Sequence, residues 1–501
     1  MSTGSLLLFV LGALIFPDLM TSWVNAGFAK SAAWFGLYWQ YLMFATFVVA
    51  IAVATTPYAK ARLGGITAPE FGRFKWVAMI MCTLLAGGGV FWAAAEPMYH
   101  FTNTPPYFGD VATGSADAAH AALAQSFVHW GFLAWAILGS LGAIVMMYAR
   151  EQGMPLRPRS LLYPVLGKSV ATSRIGAAAD IVCIVAVVAG TVGPIGFLGL
   201  QVSYGLSSVF GIPSNYVTQL VVIAVLTGVA VVSVASGVNR GIQLMSRANV
   251  WLALVLMGAV LALGSVGYVL KAFVGGFGTY AQNFVGTSLY AGDSAWTSGW
   301  TIFFFGWFLG YGPLMAIFVA RISRGRTVRD LILSTTVLPP IVTTFWFTVL
   351  GGTGIMLEQQ KPGSISGPLA ETGLPAVVMS ITDQLPLGGL LGVAFLLLTI
   401  MFVATTTDSM AYSIAQSCTT TGEPSARLRS AWALLMGAAA AVLISIGDGG
   451  ISALQSFIVI TAVPVGFIML PSVFAAPVFV RRMAVEQGLV SGPTPEAADV
   501  A

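Results

Sequence analysis

Charge is what this chain has least of. Of 501 residues, 22 are Lys or Arg and 18 are Asp or Glu, so 8% are charged, against about 25% in an ordinary soluble domain. A soluble surface of this size needs far more, which makes cytosolic enzymes, nucleic-acid binders and disordered scaffolds poor readings. The net charge of +4 is too small to call for a polyanion, and no nucleic-acid partner is expected. Cysteine is scarce too: Cys82, Cys183 and Cys418 are odd in number, follow no metal-ligand spacing and sit in or beside apolar runs, which suits packing and not a disulfide framework. The histidines His100, His120 and His129 lie too far apart in sequence to suggest one metal site, and His129 reads as a polar residue near a helix end. There is no H-E-x-x-H and no G-x-S-x-G, and Gly167-Lys168-Ser169 lacks the phosphate-loop glycine five positions earlier, where Leu162 stands. No enzyme is expected.

Apolar sequence is what remains, at 57% hydrophobic residues. A hydrocarbon layer about 30 Å thick takes roughly 20 helical residues. Twelve runs qualify, at 5–25, 33–57, 75–99, 122–149, 176–204, 215–236, 247–273, 298–320, 331–353, 387–414, 428–446 and 452–480. They are long and continuous instead of alternating, so the fold class is an all-α polytopic membrane protein with twelve transmembrane helices, not a barrel. Residues 5–16 resemble a signal-peptide core, but no Lys or Arg precedes them and eleven further runs follow, so they are expected to stay. With the N-terminus inside, every Lys and Arg falls on the inner side except Lys30, Lys271 and Lys361. This imbalance predicts a cell (inner) membrane protein with both termini cytoplasmic. The longest outer connection, 354–386, carries Lys361-Pro362-Gly363-Ser364 and is expected to cap the outer mouth, while 483–501 is a short cytoplasmic tail.

Within the runs, glycine and aromatic residues are placed unevenly. The third holds Gly87-Gly88-Gly89 and closes with Ala95-Glu96-Pro97, and the eighth has Gly306, Gly310, Gly312 and Pro313. Glycine costs a helix roughly 1 kcal/mol against alanine. Two readings stand: close packing through small residues, or helices that unwind at a transport site. In the eighth run Trp300, Phe304, Trp307, Phe308 and Tyr311 share a helical face, and the fourth carries His129-Trp130-Gly131 and Trp135. Such rings belong to an interfacial belt or core, or else they hold a permanent cation, each face contributing about 0.5 to 2 kcal/mol. Asp180 and Asp408 are the intramembrane acids, both near the inner rim beside arginine-rich loops, which favours structural ion pairs. Thr405, Thr406 and Thr407 offer hard oxygen ligands or bond back to their own helix.

At Phe91-Trp92-Ala93-Ala94-Ala95-Glu96-Pro97, His129-Trp130-Gly131, Trp300-Thr301, the block from Ala320-Arg321-Ile322-Ser323-Arg324-Gly325-Arg326-Thr327 to Arg329, Arg240-Gly241-Ile242 with Ser246 and Asn249, and Thr407-Asp408-Ser409, the chain resembles the betaine/carnitine/choline transporter family. The resemblance implies two leading helices in 1–74 and a first inverted five-helix repeat of the leucine-transporter type in 75–275. An outer connecting segment and the second repeat follow in 276–482. It also implies alternating access in a homotrimer within the lipid bilayer.

Carried over by position, the family's aromatic box falls on Trp130, Trp135 and Leu138 with Phe308, and Trp307 and Tyr311 lie nearby. Leu138 stands where a tyrosine is usual, and Phe308 and Tyr311 where tryptophan is usual. The unwound stretch that meets the substrate maps onto Leu84, Ala86 and Gly88, with Gly87 and Gly89 added. The family's sodium site implies Na+ held by Thr405 and Thr406 with backbone carbonyls near Leu85. A second site would pair Thr191 with Val187, which has no hydroxyl, and Val250 replaces the arginine of sodium-independent exchangers. The expected function is import of a small quaternary-ammonium or betaine-type solute of the glycine betaine, choline or carnitine class, coupled to sodium. The alternatives are a proton-coupled or exchange carrier for another zwitterion (a sulfonium, taurine-like or amino-acid solute) and, further off, a membrane osmosensor, against which the short tails argue.

Overall fold

In hydrocarbon, every backbone N–H and C=O must find its partner within the chain, and the apolar runs answer as helices. The computed structural model describes residues 2–85, 88–236, 241–419, 423–446 and 451–491. Among these, nine helices are long and apolar enough to cross a membrane, or ten if one bent pair counts as a single span. The isolated bridge Arg62 to Thr327 is the β pairing found among the described residues.

Several of the twelve expected runs are not single straight helices, and three of them, the first, third and seventh, depart at a local signal. Around the first, Ser2–Ile15 stops at Phe16 and Pro17–Thr55 runs unbroken for 39 residues, so the expected boundary between 25 and 33 lies at Pro17 instead. Proline disfavours helix in the residue before it yet starts a helix readily. The third run divides into Arg73–Leu85 and Phe91–Thr102, of 13 and 12 residues, each too short to span alone. The seventh bends by 104° between Arg247–Leu263 and Val266–Gln282. Gly264 ends the first piece and Ser265 caps the second by accepting from the Tyr268 N–H. The outer connection is shorter than expected, since helix continues to Gln360. There the Glu358 carboxylate gathers the N–H groups of Gly363, Ile365 and Ser366 and the Ser366 hydroxyl, wrapping the predicted turn around one side chain.

Burial separates centre from periphery. The most apolar windows of Ala116–Glu151, Arg174–Phe210 and Ser294–Ile322 are 94%, 83% and 83% buried, against 44% for Pro17–Thr55 and 39% for Tyr216–Val234. Outward side chains such as Val217, Trp251 and Phe474 are exposed, as lipid-facing residues are. The helix Ile451–Glu486 packs on Pro17–Thr55, Arg174–Phe210 and Phe303–Ile322 and so ties rim to centre.

On the arginine-rich face, the segment after Ile322 is a clamp. Leu63 N donates to the Arg326 carbonyl, Gly325 N to Leu63, and Val328 N to Ala61. Gly325 takes φ +79°, and a Cβ there would collide with the Ala68 carbonyl. The Arg326 guanidinium lies 4.5 Å over the Trp76 ring. Arg329 donates from Nε to Ala54 O (2.8 Å) and from Nη2 to Thr56 O (2.9 Å), satisfying carbonyls that the end of the Pro17–Thr55 helix leaves open.

Candidate functional site

The centre of the molecule is built around two helix interruptions. The first follows Leu85, the last residue of its helix; Ala86 and Gly87 lie outside the described residues. Gly88 is described, and its surroundings are tight. A Cβ added there would stand 2.8 Å from Trp307 Cη2, 3.1 Å from Trp92 Cδ1 and 3.4 Å from Trp130 Cη2. Only glycine lets this backbone touch three indoles at once. The Gly89 carbonyl, one residue on, accepts the Trp346 indole N–H at 2.7 Å.

The second interruption is at Gly131, which ends Ala116–Trp130 directly after the His129-Trp130 pair. A Cβ at Gly131 would strike the Phe127 carbonyl and stand 2.8 Å from Tyr280 Oη. That same hydroxyl accepts the Phe132 N–H at 3.3 Å, a donor freed by the break.

Trp130 is therefore a terminal helix residue set into a ring cluster. Its ring centroid lies 5.5 Å from Phe304, 5.9 Å from Trp307, 5.2 Å from Phe308 and 5.2 Å from Phe347. Trp92 joins through Phe304 at 5.0 Å. Of the residues the resemblance gives to the box, Trp130 and Phe308 meet, and Trp307, expected nearby, joins them. Trp135 and Leu138 are buried on the following helix, Phe132–Gly139, and among the described residues no ring contact joins Trp135 to the cluster. Trp92 and Phe347 were not expected, though Phe91-Trp92 directly after the glycines was a visible signal. The stripe in the eighth run points inward: Trp300, Phe304, Trp307 and Phe308 are all buried, so a lipid-facing belt is ruled out for them.

Arg174–Phe210 supplies the opposite wall. Trp307 Nε1 donates to the Gly190 carbonyl at 3.1 Å. Tyr311 Oη lies 3.2 Å from the Thr191 hydroxyl, which also donates to Val187 O.

Beneath Trp130 is a polar cluster that sequence spacing concealed. Glu96, His100 and His129 are fully buried and bring their ligand-type atoms within 4.8 Å of one another. The Glu96 carboxylate takes the Trp130 indole N–H on Oε2 at 2.9 Å and faces His129 Nδ1 through Oε1 at 2.5 Å. The other His129 nitrogen meets Thr301 Oγ1 at 3.0 Å and Gln125 Nε2 at 3.1 Å. His100 Nε2 stands 3.5 Å from Glu96 Oε1. Donors of one tetrahedral ion at about 2.0 to 2.2 Å sit more than 3 Å apart; a 2.5 Å approach belongs to a hydrogen bond, so the arrangement fits a bonded network better than a metal centre. Two of the three histidines judged too distant in sequence, His100 and His129, thus converge, while His120 lies apart against Gly275, and Glu96 joins Asp180 and Asp408 as an intramembrane acid.

The remaining candidates differ among themselves. Asp180 forms the expected rim ion pair, with Arg159 Nη2 at 2.8 Å. Asp408 instead accepts the Ser233 hydroxyl at 2.7 Å. Thr405 Oγ1 donates to Met401 O at 2.9 Å and accepts from Asn249 Nδ2 at 3.0 Å. The neighbouring Thr406 hydroxyl is buried and has no hydrogen-bond partner among the described residues.

Against known proteins, residues 1–485 match the family described as BCCT, betaine/carnitine/choline family transporter. The chain is 50% identical over 490 residues to glycine betaine transporter 2 of Vibrio parahaemolyticus, covering 97% of this chain and 90% of that protein. It is 33% identical to glycine betaine transporter 1 of the same organism, over 94% of this chain and 90% of that one. An ectoine/hydroxyectoine transporter of Virgibacillus pantothenticus is 30% identical, with 93% and 92% covered.

Proposed function

The chain belongs to the betaine/carnitine/choline family of transporters, and from that premise we propose that it imports a small betaine-type solute bearing a quaternary ammonium, by alternating access driven by sodium. It is a multi-pass membrane protein of that family. The observation that carries the substrate reading is the meeting of Trp92, Trp130 and Trp307 over Gly88. Aromatic faces attract a permanent cation without a carboxylate in contact, and a bare backbone beside them leaves N–H groups for the solute's own carboxylate. The cluster rings rest on one another with centroids about 5 to 6 Å apart, so holding a trimethylammonium group between them requires that they part. The turn at 88–90, ahead of Phe91–Thr102, is the adjacent hinge.

The same reading assigns two leading helices to 1–74, inverted repeats to 75–275 and 276–482, and a tail to 483–501. Support comes from matched irregularities: the broken first helix of 75–275 has a counterpart in the π-helical turn Ser298–Ile302 and Pro313 at the start of the second repeat. The basic face is placed in the cytoplasm with both termini, in the inner membrane, and the assembly is a homotrimer. Thr405 and Thr406, with carbonyls near Leu85, are the ligands proposed for sodium.

Reconstitution into liposomes tests the reading. Labelled glycine betaine should accumulate under an inward sodium gradient and be competed by carnitine, choline or ectoine according to fit. Accumulation under a pH gradient alone reassigns the driving ion; no accumulation of any of these solutes under either gradient overturns the proposal.

A further inference from the structure

The ring cluster contains no charge, yet one carboxylate is wired to it. Glu96 Oε2 accepts the Nε1–H of Trp130 at 2.9 Å, at 0% exposure, and the far edge of that same indole, at Cη2, faces Gly88. The other carboxylate oxygen is engaged by His129, itself fixed by Thr301 and Gln125. Glu96 lies in Phe91–Thr102, one residue before Pro97, so it hangs from the helix that begins at the interruption. Gly351 packs directly on Pro97, where a Cβ would meet its ring and the Ala93 carbonyl, and this holds the Glu96 turn in place.

Resting on the functional reading above, we propose that Glu96 is the positioning residue and counter-charge of the cation box, acting through Trp130. Three consequences follow from the geometry. The N–H···O bond fixes the indole plane at the end of an interrupted helix, where no following turn holds it. A carboxylate accepting an indole N–H raises electron density on the ring and deepens its attraction for a cation on either face. The negative charge itself stands one indole width from the headgroup, in a medium where charges are weakly screened. Ring faces alone already favour a cation over a neutral group of the same shape, and the carboxylate behind Trp130 adds to that preference. Glu96 sharpens the discrimination by charge.

The test separates charge from shape. Glycine betaine and 3,3-dimethylbutanoate share a tert-butyl-shaped head and a carboxylate, but only betaine is cationic. Binding of each to the full-length protein in nanodiscs is followed by intrinsic tryptophan fluorescence. Glu96→Gln keeps an acceptor and removes the charge. It should reduce the preference for betaine over the isostere by about tenfold, through weaker betaine binding with the isostere unchanged. Trp130→Phe keeps a ring and removes the N–H, and serves if the Gln variant does not fold. It should reduce the same preference, and adding Glu96→Gln to it should cost little more. Equal losses for both ligands, or an unchanged ratio, overturn the inference while leaving the transporter reading intact. A wild-type protein that binds betaine no better than the isostere overturns both.

Discussion

Trp307 donates its indole N–H to the Gly190 carbonyl, 3.1 Å away, and that oxygen is free because Pro194, four residues on, has no N–H to offer it. A proline in one buried helix thus creates the acceptor that orients a ring on another. Trp307→Phe should lower stability by about 1 to 3 kcal/mol, because the carbonyl is left buried and unpaired. Pro194→Ala returns an intrahelical donor and should recover part of that loss in the double variant. Melting of the purified proteins checks this, and a double variant no more stable than Trp307→Phe would sink it.

Gly88→Ala is expected to act on binding before stability. Its methyl would sit 2.8 Å from Trp307 and 3.1 Å from Trp92, so the rings must shift, at a cost of about 1 to 3 kcal/mol for overpacking. Because these are the rings assigned to the headgroup, the betaine concentration for half-maximal uptake should rise about tenfold or more. Unchanged uptake with an unchanged melting temperature would remove Gly88 from the site.

How much of this was legible beforehand follows from the range of each signal. Hydropathy is local, so the apolar runs were placed well, and three glycines in a row marked the break near residue 88. The turn at Gly264-Ser265 was equally local but lay inside an apolar stretch that outvoted it. Trp135 and Leu138 were placed by resemblance alone, and no local signal in the sequence announced the interruption that precedes them, where the Gly131 backbone lies close to Phe127 and Tyr280. The meeting of Glu96 with His129 and of His129 with Thr301, across 33 and 172 residues, has no sequence-local trace at all.

Arg329 should matter to the scaffold and not to the solute. Its two bonds to Ala54 O and Thr56 O end the Pro17–Thr55 helix. Charged hydrogen bonds of this kind contribute about 1.5 to 3 kcal/mol each when buried, and less where solvent reaches them. Arg329→Ala is expected to lower the melting temperature while leaving the betaine affinity of the folded fraction within about twofold. A large affinity change without a stability change would mean that the clamp reports to the site.

The two adjacent threonines, both proposed as sodium ligands, should differ in what else they hold. Thr405 is committed to Asn249 and Met401, so Thr405→Val is expected to cost about 1 kcal/mol and loosen the contact between Gly241–Leu263 and Gly388–Cys418. Thr406 has a buried hydroxyl with no partner among the described residues, and a methyl of the same shape there should leave stability unchanged or slightly higher. An unpaired buried oxygen is costly unless something binds it, and sodium is the proposed occupant. Sodium should therefore raise the melting temperature of the wild type by mass action and fail to do so in Thr406→Val, whose sodium requirement for uptake should rise about tenfold. A melting temperature insensitive to sodium in the wild type would place the driving ion elsewhere.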